Sequence, residues 1–352
     1  MPEVQLISVD NVVAKIVDTS SLEPCAAATG NVVFCTYGAA ISMSTNAGKY
    51  FPQSQNWSSS VLLGPPPCVD MSTIWIPQIK RLVWVMLAEG APDRLRLCVS
   101  SIPALTSSSA RSWQVGEITP STLGLGTDRM GTPLGFDYPQ LAVGKNFLYI
   151  TVRISHPKDA DHTDLYSYAA AILRIGLEAL GSDAQNVGFQ YFTRLDVTSF
   201  CSAQDSGETA YWAGWAPSGG RLRVYRCDEN SSTISWYDVP VPPFSTDTQS
   251  YLSSTPDGKN WLDHLDNRIT GGCFLRQGFD KDTGDVKNLD DYLAFAWTAG
   301  RSGKWLEPYI TIIELFFRPA YDAFGLVGLC NITEPIQPLL FLPYSPTDIS
   351  LR

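Results

Sequence analysis

Three aspartates, Asp70, Asp137 and Asp266, each open a strand-like stretch behind a segment rich in Pro, Gly or Ser. Carboxylates converging from different strands are what cleavage of a glycosidic bond requires, one as acid and one as base or nucleophile. An Asp at a strand entrance also caps the turn before it through its own backbone, so residue type leaves both readings open. Among these acids stand rings and isolated polar groups: Trp75, Tyr138, Trp212, Trp215, Trp297 and Tyr309, with Gln140, Gln204 and Arg268. That mixture suits the wall of a small-molecule pocket, apolar with a few hydrogen-bonding groups, and it equally suits the core between packed sheets. Arg268 lies two residues from Asp266 on one strand face, as an ion pair or as a clamp on a ligand. His264 precedes the same strand, within reach of an axial funnel where an imidazole is useful near neutral pH. His156 and His162 bound one polar run, His-Pro-Lys-Asp-Ala-Asp-His, which reads as a solvated loop.

Other chemistries leave no trace. There is no G-x-S-x-G elbow, no H-E-x-x-H, no P-loop and no G-x-G-x-x-G behind a strand. The eight cysteines are widely spaced without a C-x-x-C pair, so neither a zinc site nor a thioredoxin-type motif is expected. No cofactor and no metal is implied. A net charge of −10 with dispersed Lys and Arg argues against a nucleic-acid partner. The apolar stretch Ile310 to Phe317 is interrupted by Glu314, and no run approaches the length of a membrane span. The expected partner is a small-molecule substrate, met by a monomer or homodimer. Three sequons at Asn56, Asn230 and Asn331, with the even cysteine count, point to a secretory or extracellular protein holding at least one disulfide. The start, MPEVQLISVDNV, has no basic and apolar signal regions, which keeps a cytoplasmic location open.

Asp70, Asp137, Phe200 and Asp266 follow one another at intervals of 67, 63 and 66 residues. Within each interval, apolar alternation returns in three or four short runs, as a β-propeller with four antiparallel strands per blade requires. The spacing predicts an all-β chain folded as one closed propeller over residues 1–352, with five blades, or six as the alternative. The clearest hairpin is Phe136 to Val143, a turn at Gly144-Lys-Asn146, and Phe147 to Ile154. The first repeat shows two strands, Asn31 to Tyr37 and Ala39 to Met43. Its others are expected from Val4 to Val17 and Ile336 to Leu342, closing the ring and removing two edges. The Gly/Thr-rich connection from Gly116 to Gly135 is long enough to serve as a lid.

Ser44-Thr-Asn-Ala-Gly-Lys-Tyr-Phe51 resembles the Asp-box turn of sialidase-like propellers, Ser-x-Asp-x-Gly-x-Thr-Trp, with Asn46 in place of Asp. Ser254-Thr-Pro-Asp-Gly-Lys-Asn-Trp261 is similar, its acid shifted by one position. In those families the motif stabilises a turn between the third and fourth strands and packs an aromatic between sheets. It implies fold and no chemistry.

Cys68-Val-Asp70, Phe136-Asp-Tyr-Pro-Gln-Leu-Ala-Val143, Arg221-Leu-Arg-Val-Tyr-Arg226, Asp257-Gly-Lys-Asn-Trp261 and Asp266-Asn-Arg-Ile269 together resemble a group of uncharacterised fungal and bacterial propeller proteins. Within it, size and general appearance are similar to the fungal hetero-Diels–Alderases of tropolone sesquiterpenoid pathways, which join a tropolone quinone methide to a humulene-type olefin. That resemblance implies a pericyclase of secondary metabolism needing no cofactor: two partners held face to face, and a donor on the developing oxyanion. Orientation accounts for up to ~10 kcal/mol of barrier lowering, and one preorganised donor for roughly 3 kcal/mol. In this chain Arg268 or Gln140 would be the donor, with Tyr138, Trp75, Trp297 and Trp212 as walls and Gln204 and His264 beside them. The alternatives are a glycoside hydrolase using Asp70, Asp137 and Asp266, and a glycan-binding propeller without catalysis.

Overall fold

The computed structural model describes residues 24–52, 56–58, 63, 68–88, 94–156, 167–182, 187–217, 220–231, 233–241, 268–279, 286–300, 309–318 and 323–332. They form five four-stranded antiparallel sheets, the blades of a five-bladed all-β propeller. The first sheet runs β1 (Cys25–Thr29), β2 (Val32–Tyr37), β3 (Ala40–Ser44), β4 (Asn56–Ser58). The second is β5 (Cys68–Ile76), β6 (Arg81–Ala88), β7 (Arg94–Ser100), β8 (Gln114–Ile118). The third is β9 (Gly135–Val143), β10 (Phe147–Ser155), β11 (Ser167–Gly176), β12 (Phe189–Arg194). The fourth is β13 (Cys201–Ser202), β14 (Thr209–Trp215), β15 (Arg221–Asp228), β16 (Ser235–Pro240). The fifth is β17 (Ile269–Phe279), β18 (Val286–Ala299), β19 (Tyr309–Arg318), β20 (Ala323–Ile332).

The first sheet departs from expectation, because all four of its strands come from residues 25–58. Strand β1, Cys-Ala-Ala-Ala-Thr, lacks the branched and aromatic residues that announce a strand. A tight turn at Gly30, φ +53°, pairs it with β2 all the same. The terminal segments expected to close a blade lie outside the described residues.

The chain divides into two compact units: Met1–Leu141, Val152–Tyr168 and Leu173–Tyr191 in the first, Ala142–Thr151, Ala169–Ile172 and Phe192–Arg352 in the second. In the first, the central strand β6 is buried on both faces, and its residues Leu82, Trp84, Met86 and Ala88 share one core with Phe34, Ile41 and Met43. Phe34, Trp84 and Trp113 meet there with centroids 5.3 to 5.7 Å apart. In the second unit, Trp212, Tyr225 and Phe200 anchor one cluster, while Trp297, Phe295, Leu293 and Tyr211 anchor another.

The Asp-box segment lies where its pattern requires, between β3 and β4. Ser44 Oγ donates to Asn46 Oδ1 (2.8 Å) and accepts from the Gly48 N–H (3.1 Å), while Asn46 Oδ1 also accepts from the Tyr50 N–H (2.9 Å). Gly48, at φ +80°, completes a turn that an L side chain would strain. Phe51 is half-buried and Tyr50 is 63 % exposed. Replacing Asn46 by Ala removes the acceptor shared by both ends of this turn and should destabilise by about 1 kcal/mol. A thermal melt then drops by a few degrees, and Asn46→Asp, which restores the acid of the pattern, melts with the wild type. The second box-like segment, Ser254 to Trp261, lies outside the described residues.

Candidate functional site

The first strands of three sheets are irregular where they begin. In β5, Val69 pairs with Leu87 and Ser72 with Val85, so Asp70 and Met71 oppose the single residue Met86. This is a bulge, and Asp70 sits in it at φ +47°. In β9, Tyr138 has φ +49° although Pro139 follows it, a combination that a bulky residue before proline resists. In β17, Ile269 pairs with Trp297 and Gly271 with Ala296, leaving Thr270 as an extra residue. Left-handed backbone at non-glycine residues costs on the order of 1–3 kcal/mol and clusters where side chains must be aimed. Asp70 therefore matches Tyr138 in backbone conformation, and Asp137 stands one residue earlier than the spacing suggests.

Asp137 is buried, 9 % exposed, and its Oδ1 accepts the Tyr138 N–H at 3.1 Å. That N–H lies in the peptide plane just before the reversed φ of Tyr138, so the carboxylate is fastened at the kink itself. Tyr138 and Gln140, two residues apart, are both half-buried, as are Asp70 and Arg268. Asp70, Asp137, Tyr138 and Gln140 thus sit on the first strands β5 and β9 of the first unit. In the second unit, Gln204 follows β13 and bridges to β17: its N–H donates to the Gly272 carbonyl (3.0 Å) and its carbonyl accepts from the Phe274 N–H (2.9 Å). The close approach depends on Gly272, where an added Cβ would stand 3.1 Å from the Ser202 carbonyl and 2.8 Å from the Phe295 ring. Asp266, His264 and His162 lie outside the described residues, as does the Tyr309 side chain.

Two of the expected aromatic walls are core. Trp212 and Trp297 are each 1 % exposed. Trp212 stacks on Tyr225 (5.6 Å, 5° between planes), and Trp297 meets Trp215 edge-on (5.1 Å, 89°). Their volume fills the spaces between sheets, the competing role of large rings in a propeller. Trp75 is half-buried against the core of the first two sheets. Tyr138 is the ring of the set on an incompletely buried strand face outside these clusters.

Two arrangements carried no sequence signal as sites. The segment Gly116–Gly135 begins inside β8, and the connection proper, residues 119–134, is structured by a 3₁₀ turn, Pro120–Leu123, and by Asp128, whose Oδ1 accepts the Met130 and Thr132 N–H groups at 2.8 Å. Its Oδ2 lies 2.9 Å from Nε2 of His156, which is half-buried against it rather than in a solvated loop. The imidazole, then the turn N–H groups, hold the Asp128 carboxyl below its usual range. The second arrangement is Glu229, 4 % exposed in the turn after β15, whose carboxylate accepts from the Asn146 N–H (2.7 Å) and the Tyr149 hydroxyl (3.2 Å).

None of Cys25, Cys35, Cys98, Cys201, Cys227 and Cys273 is in a disulfide, so the expected crosslink does not form among these six. Burial, with Cys273 nearby, pushes the Cys201 thiol up to about 12. Since the thiolate is the nucleophile, Cys201 should stay unmodified by iodoacetamide at pH 8 in the native protein and react once it is unfolded. Peptide mass spectrometry checks this, and native labelling at Cys201 would contradict its burial.

No family model matches the chain, and no curated protein matches it by sequence. Similar solved structures include the Hadza microbial sialidase Hz136, 12% identical over 83% of this chain and 55% of its own, with a TM-score of 0.43. Trypanosoma rangeli sialidase in complex with sialic acid is 10% identical over 89% of this chain and 48% of its own, TM-score 0.44. The GH43 β-1,3-galactosidase BT3683 with galactodeoxynojirimycin is 9% identical over 86% of this chain and 92% of its own, TM-score 0.33. The chain spans about half the length of the two sialidases. The resemblance to hetero-Diels–Alderases gains no support from these comparisons.

Proposed function

We propose that the chain is a glycoside-cleaving enzyme in which Asp137 is a reacting carboxylate and Asp70 a second one. The observation that carries this reading is the kink at the start of β9: a buried Asp137 held by the N–H of a residue in left-handed conformation. Burial and backbone strain spent on a carboxylate at a strand entrance are features of a group that must be aimed. Two carboxylates suffice for glycosidic cleavage, one to protonate the leaving oxygen and one to attack or to activate water. The chain carries no serine elbow and no metal-protease motif to suggest another hydrolytic chemistry. A pericyclase reading is weaker, because Trp212 and Trp297 are taken up by the core and leave an aromatic funnel short of walls.

The test is release of nitrophenolate from 4-nitrophenyl glycosides of neutral pentoses and hexoses and of sialic acid, with wild type and Asp137→Asn side by side. Cleavage of at least one glycoside, lost in the variant, supports the reading. Failure on every glycoside, or undiminished cleavage by the variant, overturns it.

A further inference from the structure

One face of the fourth sheet carries a cross-strand ladder of rings, since Trp212 pairs with Tyr225 and Tyr225 with Trp236 across β14, β15 and β16. Burial falls away along it: Trp212 is 1 % exposed, Tyr225 0 % and Trp236 47 %. The ladder thus ends in an open indole on the last strand of the sheet. Two guanidinium groups lie over part of this ring, with the central carbons of Arg194 and Arg223 at 5.3 and 5.9 Å from its centroid, and the indole is still 47 % exposed. Arg223 is paired in register with Asp238 and grips it with two bonds, Nε to Oδ1 at 2.6 Å and Nη2 to Oδ2 at 2.9 Å. Arg194 grips Asp196 in the same two-pronged way, Nε to Oδ1 at 2.6 Å with Nη2 on Oδ2, and Arg223 Nη1 links the pairs through Asp196 Oδ2 at 3.3 Å. Among the described residues, the indole N–H has no hydrogen-bond acceptor. Leu195, between Arg194 and Asp196 in the chain, is 57 % exposed.

The electrostatics choose the ligand. Around the indole the two arginines and two aspartates cancel, on a chain whose net charge is −10, and the further cation on this strand face, the exposed Arg221, stands beyond Asp238 opposite Pro240. Arg223 holds the Asp238 carboxyl below its usual range and Arg194 does the same for Asp196, which keeps the cancellation intact into mildly acidic solution. An ionic ligand seated on the indole would have to break a bidentate pair to gain a partner there. A neutral ligand need break nothing, because the paired groups are fixed in place and retain lone pairs and N–H groups for hydroxyls. A half-open indole supplies apolar contact area with little rotamer entropy to lose. The group that matches a flat apolar face fringed by fixed donors and acceptors is a sugar ring, with C–H bonds on one face and hydroxyls around its rim.

We propose that Trp236, with Arg194, Asp196, Arg223 and Asp238, is a binding platform for a neutral oligosaccharide. It uses none of the residues assigned to the reaction, and it stands whether or not the chain cleaves glycosides.

Native electrophoresis through gels containing arabinan, xylan or mixed-linkage β-glucan tests it, with polygalacturonate as the anionic comparison. The Asp137→Asn protein is the starting form, so that the polysaccharide is not consumed and the outcome is independent of catalysis. At least one neutral gel should retard it. Trp236→Ala should weaken that retardation roughly ten-fold or more in apparent Kd, and Trp236→Phe, which keeps a flat ring, should retain most of it. Thermal melts of the variants show that the fold survives, and Trp236→Gln, which keeps side-chain length without a ring and should lose the retardation as Ala does, carries the test if the Ala variant does not fold. Absence of retardation in all three neutral gels, equal retardation of Trp236→Ala, or retardation by polygalacturonate alone overturns the proposal. So does a concentration-dependent dimer of the starting form that Trp236→Ala abolishes, which would assign the patch to self-association.

Discussion

Asp137→Asn should hydrolyse a cleavable aryl glycoside at least roughly 10³-fold more slowly than wild type, the loss expected when a reacting acid or base is neutralised. It should melt within a few degrees of wild type. The separation of the two effects follows from the geometry. Asparagine has the size of aspartate and offers the same Oδ1 to the Tyr138 N–H, now at 3.1 Å from the carboxylate, so the kink at the start of β9 keeps its hydrogen bond. What disappears is a charge that can accept or deliver a proton, at a position only 9 % exposed. A turn-capping Asp137 would give the same melt with turnover untouched, because an Asn cap serves as well as an Asp cap. Steady-state kcat and KM separate the cases: a fall in kcat at near-constant KM marks lost stabilisation of the transition state. Equal turnover by the two proteins would return Asp137 to a structural role.

The repeat was legible because propeller blades impose two periods at once, alternation along each strand and a fixed distance between equivalent strands. Four of the five sheets form where alternating runs predict them, including the hairpin of β9 and β10 around Gly144-Lys145-Asn146. Strand β1 escaped because alanines carry almost no signal of either kind, and its pairing is decided by the Gly30 turn and its neighbour β2. Site residues are harder, since alternation reports which face a side chain takes but not what covers that face. Trp212 and Trp75 each fall on a regular strand, yet one is core and the other half-covered, a difference made by sheets distant in sequence. The bulges at Asp70 and Thr270 add a second difficulty, because one extra residue shifts every later side chain to the other face. Asp137 stands out in the sequence by its place at a strand entrance, and its role in a reaction is the proposal made above. Trp236 does not stand out, because its exposure depends on where a ladder ends and its chemistry on pairs formed with Arg194 and Asp196 across a loop.

Glu229 shows the same limit, and its removal should produce the largest loss of stability among these substitutions. The turn Gly144-Lys145-Asn146 is fastened in three places within the second unit. Lys145 N–H donates to the Gly207 carbonyl at 2.7 Å, Lys145 Nζ pairs with Glu208 at the surface, and Glu229 accepts from the Asn146 N–H and the Tyr149 hydroxyl beneath. The surface pair is highly exposed on both sides, 58% and 65%, and such pairs contribute little. The buried carboxylate differs, because Glu229→Ala takes the acceptor from the part-buried Asn146 N–H and from the buried Tyr149 hydroxyl, and hydrogen bonds to a charged group contribute about 1.5–3 kcal/mol each. Part of that is offset by no longer burying a charge, so a net loss of about 2–4 kcal/mol is expected, seen as a melting temperature lower by roughly 5–10 °C. Gly144→Ala should do comparable damage from the opposite side, since its added Cβ would stand 2.0 Å from Glu229 Oε1 and 3.1 Å from the Gly207 carbonyl. Glu229→Gln, which keeps one acceptor oxygen and sets an amide against the other donor, should fall between Ala and wild type. Lys145→Ala should change the melt by no more than a degree or two. If Glu229→Ala melted with Lys145→Ala instead of with Gly144→Ala, the turn would be held by its backbone alone and the buried carboxylate would have no part in fastening it.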